Sequence, residues 1–291
     1  MKHRLTGKRR ETLIGLLYAA LPLAGFSLFF VVPFGISIAR TLYSGTGARQ
    51  FVGLANYTSI FKSEAFRMAL GNTMRFIGVG VPLILILSFA ISVLLNGITK
   101  GKNTFRSLFI MPLVVPVASV ILVFSIIFER SGIINNALVS LGLLPVDFMG
   151  SDRAFTVLII LYLWKNCGYN IILFMAGLGQ IPSDYYEAAR IDGAGKWRIT
   201  LNITLPLMIP TFFFTAVISI INSFKSFREA FVLSGNYPHP SVYMLQHFMN
   251  NNFYNLNYAR LSVASFLTFT IIIALVSVMY VFRQRAGDHQ L

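Results

Sequence analysis

The sequence predicts an all-α integral membrane protein with six transmembrane helices. Three observations carry this. Hydrophobic residues make up 56% of the 291 residues and charged residues only 12%, about half the charge of a typical soluble domain. The apolar residues gather into runs long enough, at ~1.5 Å per residue, to cross a bilayer core. Lys and Arg outnumber Asp and Glu by 24 to 10, and many flank those runs, as in helices anchored at an anionic membrane surface. A net charge of +14 would suggest nucleic acid in a soluble protein; in this chain membrane anchoring is the simpler reading.

Residues 1–12 form a basic N-terminal segment, with Lys2, Arg4, Lys8, Arg9 and Arg10 against Glu11. Residues 13–291 read as one six-helix transmembrane domain. The first span, 13–39, has no charge and contains Pro22 and Pro33, each a site for a kink or local break. It is too long for a cleavable signal and lacks a convincing small-residue cleavage site. A more polar stretch with Gly45 and Gly47 leads to the second span, 76–95. A short loop with Lys100, Lys102 and Arg106 precedes the third, 108–128, which carries Pro112 and Pro116. The fourth span is 154–176. A long polar loop, 177–206, separates it from the fifth, 207–224. Polar residues 226–260 lead to the sixth, 261–282, which Arg283 and Arg285 follow. Six crossings place both termini and loop 177–206 on one side. Lys and Arg are denser on that side, so it is expected to be cytoplasmic.

The core of the long loop, residues 182–206, reads PSDYYEAARIDGAGKWRITLNITLP. Pro182 and Ser183 mark a helix start, with Ser able to cap free N–H groups. Tyr185, Ala188, Ala189 and Asp192 recur at helical spacing and leave a small-residue face. Gly193 and Gly195 interrupt the helix, and a second one is expected over 196–202. The product is a short helix–turn–helix with an alanine face that another protein can approach closely.

Glu187-Ala188-Ala189, three residues, Gly193, nine residues, Ile203, one residue and Leu205-Pro206 resembles the EAA loop of binding-protein-dependent ABC importer permeases. Ile191-Asp192-Gly193-Ala194 resembles the carbohydrate branch of that family. Phe51-Val52-Gly53-Leu54 followed by Asn56-Tyr57 is similar to the first external loop of sugar-importer permeases. With the long proline-containing first span, it points to the maltose-type first permease. The resemblance implies a type I ABC importer permease architecture and a permease subunit of an ATP-driven importer for a carbohydrate. The cargo would be an oligosaccharide and the location a bacterial or archaeal cytoplasmic membrane. It implies that Glu187, Ala188, Ala189, Asp192, Gly193 and Ala194 form the element that docks into a cytoplasmic ATPase. It further implies a homologous second permease, two ATPase subunits and an extracytoplasmic solute-binding protein. ATP and Mg would belong to the ATPases, with no cofactor bound by this chain.

Residue types exclude several other readings. There is no GxxxxGK[ST] phosphate loop, so the chain is not itself the ATPase. No Ser/His/Asp or HExxH arrangement points to catalysis. Cys167 is the single cysteine and the four His are scattered, so no metal site is read. No pair of intramembrane carboxylates suggests a proton relay. The rival readings are a secondary sugar transporter and a non-transporting membrane scaffold; neither gives the long loop a mechanical use.

Polar groups inside spans are costly and face a cavity or another helix. The fourth span holds Trp164, Lys165, Asn166, Tyr169 and Asn170. Rings stack on the C–H faces of sugars and amides pair with hydroxyls, so Trp164, Asn166, Tyr169 and Asn170 are substrate-path candidates. The plainer alternative is packing for the rings and an interhelical hydrogen bond for Asn166. Asn222, Lys225, Phe227, Arg228 and Glu229 form the second candidate group. Asn222, Lys225 and Glu229 share one helix face, and Lys225 and Glu229 have the spacing of an ion pair. If the fifth helix continues to residue 232, this face looks into the pathway; if it ends near 224, the charges sit at the outer surface. Two cations against one acid raise a side reading, that the cargo is an acidic or phosphorylated glycoside.

Overall fold

The computed structural model describes residues 2–44, 50–97 and 101–287. Gly45, Gly47 and Lys100 lie outside the described residues, as do residues 288–291. The chain divides into two compact units, residues 1–62 with 252–267 and residues 63–251 with 268–291.

In the first unit, α1 (Lys2–Phe26) passes through a π turn (Ser27–Val31) into α2 (Val32–Arg40). The proline explains the turn. Pro33 has no N–H to offer the carbonyl four residues back, and the helix widens one turn earlier, where the Val32 N–H reaches Ser27 O. None of the apolar window within Ile14–Arg40 is buried by the chain's own residues. Strands β1 (Tyr43–Ser44) and β2 (Gln50–Phe51) pair antiparallel, with Tyr43 opposite Phe51. α3 (Ala55–Lys62) follows. The Asn56 side-chain amide donates to the carbonyls of Thr41 (2.9 Å) and Tyr43 (3.0 Å). The Tyr57 hydroxyl donates to Thr41 Oγ1 at 3.0 Å. Asn56 and Tyr57 thus fasten this loop to the end of α2.

The second unit opens with α4 (Glu64–Asn96). This helix begins well before the second apolar run, because nothing in residues 64–75 stops it and Glu64 suits its first turn. α5 (Lys102–Val114) and α6 (Val117–Phe128) divide what reads in sequence as one span. The break lies at Val115-Pro116: Val115 is extended, as a residue before proline prefers, and Pro116 cannot continue the ladder. α7 (Ile133–Ser140) follows, and the third membrane-length segment runs over Val117–Ser140 rather than 108–128.

α8 (Ala154–Leu178) is the centre of the unit, with 61% of its apolar window buried. It packs against α4, α5 and α12. Phe76 of α4 meets Tyr162 edge-on at 5.2 Å between ring centroids. Gly168 lies so close to the Phe109 carbonyl of α5 that a Cβ there would overlap it. α9 (Ser183–Ile191) and α10 (Lys196–Ile199) form the long loop. α10 then runs through a second π turn (Thr200–Thr204) into α11 (Leu205–Leu207) and α12 (Ile209–Lys225). Like the first π turn, it ends two residues before a proline, Pro206. The expected second helix over 196–202 is therefore continuous with the approach to the fifth span.

α12 ends at Lys225, and α13 (Phe227–Ser234) begins after Ser226. The fifth membrane-length segment is Ile209–Ser234. α14 (Leu245–Tyr254) and α15 (Tyr258–Gly287) complete the chain. Six segments among the described residues have the length and apolarity to cross a membrane, as the sequence predicts.

Candidate functional site

The long loop is a built element. α9 starts at Ser183 with Pro182 at its cap position and Asp184 in its first turn. Ser183 is therefore one residue inside the helix, and its hydroxyl donates to Asp184 Oδ1 (3.4 Å) instead of capping. The helix ends in a Schellman turn: the Ala194 N–H reaches Ala189 O at 2.9 Å and the Gly193 N–H reaches Arg190 O at 3.0 Å. Gly193 has φ +75, a conformation that costs an ordinary L-residue roughly 1–2 kcal/mol. Gly195 is extended and opens α10.

The alanine face divides. Glu187, Ala188, Asp192 and Gly193 are exposed, Ala194 is half-buried, and Ala189 is buried against the protein's own fold. On a helix that rests against a surface only about one residue in three or four turns inward, and here that residue is Ala189, which serves internal packing. The exposed surface includes apolar groups that sequence reasoning missed: Ile191 is 86% exposed and Trp197 81%. The available signal was a large apolar residue on either side of the Gly193–Gly195 turn, each next to a charged neighbour, Ile191 beside Asp192 and Trp197 beside Lys196.

The polar residues of the spans separate into bonded and free groups. Lys165 of α8 pairs with Glu229 of α13. Both side chains are largely buried, at 18% and 7% exposure. The second carboxylate oxygen of Glu229 is buried with no partner. The sequence spacing allowed Glu229 to pair with Lys225. The break at Ser226 removes the shared helical register, leaving Lys225 exposed while Glu229 turns inward. Asn170 donates to Ser219 Oγ of α12 at 2.8 Å, and its own carbonyl oxygen is buried and unpartnered. The Tyr162 hydroxyl donates to the Ser219 carbonyl at 2.9 Å. Asn166 donates to the Tyr162 carbonyl of its own helix (3.0 Å), which takes up its amide locally.

Trp164 is 43% exposed and lies 5.9 Å from the Phe124 ring. Tyr169 and Asn222 are half-buried, and Arg228 is exposed. Phe227 packs on His247, with ring centroids 4.7 Å apart. Among the described residues neither Lys225 nor Arg228 enters an ion pair. The candidates do not form one cluster: Glu229 joins α13 to α8, Asn170 joins α8 to α12, and Lys225 and Arg228 are exposed and belong to neither contact.

A further polar group lies between the fifth and sixth spans. Asn72 of α4 donates to the carbonyls of Pro240 and Tyr243 (2.5 and 2.9 Å). The Leu245 N–H reaches Thr73 Oγ1 at 3.0 Å. His247 Nδ1 accepts from the Met244 N–H at 3.1 Å, which fixes the proton on Nε2 in the neutral ring. Burial pushes the His247 pKa down to about 4.

The chain resembles known proteins in family and in fold. Residues 99–288 match the family described as binding-protein-dependent transport system inner membrane component. The trehalose/maltose transport system permease protein MalF of Thermococcus litoralis is 32% identical over 284 residues, covering 94% of this chain and 95% of the relative. The lactose transport system permease protein LacF of Rhizobium radiobacter is 30% identical over 229 residues, 77% of each. A bacterial ABC transporter chain, from a crystal structure of a system that imports the acidic polysaccharide alginate, superposes with a TM-score of 0.82. It covers 97% of this chain and 99% of its own, at 22% identity.

Proposed function

The chain belongs to the family of binding-protein-dependent transport system inner membrane components, and from that premise we propose that it carries an oligosaccharide across the membrane, driven by ATP that a partner hydrolyses. It is a multi-pass membrane protein of the ABC importer permease class and is not itself an enzyme. The observation that carries the coupling is the element between the fourth and fifth spans. α9 presents Glu187 and Ala188 exposed and ends in a Schellman turn, with Ile191 and Trp197 open to solvent outside the spans. Apolar side chains displayed on a charged loop favour a protein partner.

In this reading loop 177–206 faces the cytoplasm with both termini. The chain works with a homologous second permease, two ATPase subunits that hold ATP and Mg, and an external solute-binding protein. Closure of the ATPases pushes the elbow formed by α9 and α10 and biases the permease pair between two packings, one open outward and one inward. Support for a carbohydrate comes from the relatives named for lactose, trehalose/maltose and arabinooligosaccharides. Lys225 and Arg228, exposed and outside ion pairs, favour an acidic cargo. The test is uptake and ATPase association in Glu187→Ala and Gly193→Val variants. Retention of both activities in both variants overturns the coupling role. Uptake of neutral oligosaccharides in preference to acidic ones removes the acidic reading and leaves the coupling intact.

A further inference from the structure

A cavity of about 700 Å3 lies between the elbow and the ends of α4 and α8. Leu94 and Leu178 give it an aliphatic side, while Arg190, Lys196 and Tyr186 bring two cations and a hydroxyl to it. No acidic side chain lines it: Asp184, Glu187 and Asp192, the acids of the same element, lie outside its wall. Among the described residues neither Arg190 nor Lys196 enters an ion pair. Two unpaired cations facing one concave space make a site for an anion of high charge. Phosphate is the best match, since Arg engages two of its oxygens at once and Lys supplies a point charge. The aliphatic wall asks for more than inorganic phosphate. Leu94 is 72% exposed and stands at the end of an apolar span, where a glycerol backbone or a sugar ring can rest on it.

We infer that this cavity binds a phosphate ester, with the phosphate held by Arg190 and Lys196 and the ester's carbon body against Leu94 and Leu178. Arg190 belongs to α9 and Lys196 to α10. One bound phosphate ties the two arms of the elbow together and anchors both beside the ends of α4 and α8. Occupancy therefore stiffens the element that transmits force. The chemistry has two natural sources, an anionic phospholipid headgroup and a soluble sugar phosphate.

The test uses the permease purified with its native partners. One arm places it in nanodiscs of phosphatidylcholine and titrates hexose 6-phosphate, with the neutral hexose as control. The other uses discs that contain phosphatidylglycerol and follows lipid retention by native mass spectrometry. The expected result is saturable binding of one phosphate-bearing probe: hexose phosphate for a soluble source, phosphatidylglycerol for a lipid. Binding should weaken at least tenfold in R190Q/K196Q and return to within about threefold in R190K/K196R. If the double variant fails to assemble, the single Gln variants decide, each with an expected loss of threefold or more. The inference is overturned if neither probe binds saturably, if the Gln variants bind as wild type does, or if the neutral hexose competes equally. Binding is read without ATP or cargo, so its failure is distinct from failure of the transport reading.

Discussion

Lys165 of the fourth span reaches Glu229 of the short helix that extends the fifth, and the two side chains pair where both are largely buried. A pair in this position fixes α13 on α8. It also leaves one carboxylate oxygen unsatisfied, which limits its net worth.

Removing one partner strands the other. Lys165→Met or Glu229→Gln is expected to lower stability by about 3 kcal/mol, as for other half-broken buried pairs. The double variant Lys165→Met/Glu229→Leu is expected to recover most of that loss. Thermal unfolding of the purified complex checks it. Equal losses in the single and double variants would show that the side chains contribute by packing alone.

Trp197→Ala and Ile191→Ser change exposed positions, so thermal stability should hold within about 0.5 kcal/mol. Copurification with the ATPase is expected to fall at least tenfold. Unchanged copurification in both variants would remove these side chains from the docking surface.

Gly193→Ala places a Cβ on a backbone at φ +75, with an expected local cost of roughly 1 kcal/mol. Asn tolerates that conformation better, so Gly193→Asn should retain more uptake than Gly193→Ala. The reverse order of uptake would show that the turn's conformation does not set the position of the elbow.

Gly168→Ala forces a Cβ into the Phe109 carbonyl, and α5 must move from α8. The expected loss is about 1–3 kcal/mol, the range for overpacked contacts. Cysteine crosslinking between the two helices should report the shift. Wild-type unfolding together with wild-type crosslinking would refute the close approach.

His247 gives the polar segment between the last two spans a pH dependence. Its folded pKa lies near 4, below the unfolded value of about 6.5. The neutral ring therefore stabilises the fold fully above pH 6.5. As pH falls toward 4, the unfolded chain takes up the proton first, and about 2 kcal/mol is lost by pH 5. His247→Gln should remove that part of the slope in unfolding measured from pH 7.5 to 5.

Much of this was legible in the sequence. Run lengths of apolar residues gave the number of crossings, since a bilayer demands a minimum helix length. The Glu187 to Pro206 spacing gave the elbow, and Gly193 its turn. Less legible was what proline does in each context. Pro116 breaks a helix outright, whereas Pro33 and Pro206 are each preceded by a π turn that carries the helix past them. That choice depends on whether a wider turn can re-satisfy the freed carbonyls, which local sequence does not state.

By itself the sequence determined that the chain spans a membrane repeatedly and carries a built loop between its fourth and fifth crossings, because hydropathy and backbone conformation are local properties. Only the tertiary structure decided which polar groups find partners. Lys165 and Glu229 are far apart in the chain, and neighbours along it offered Glu229 a competing partner in Lys225. The helix break at Ser226 turned Glu229 inward, and burial made pairing with a cation on another helix the favourable outcome. The same holds for Ala189, which is buried while its neighbours Ala188 and Arg190 are exposed, a difference set by packing rather than by residue type.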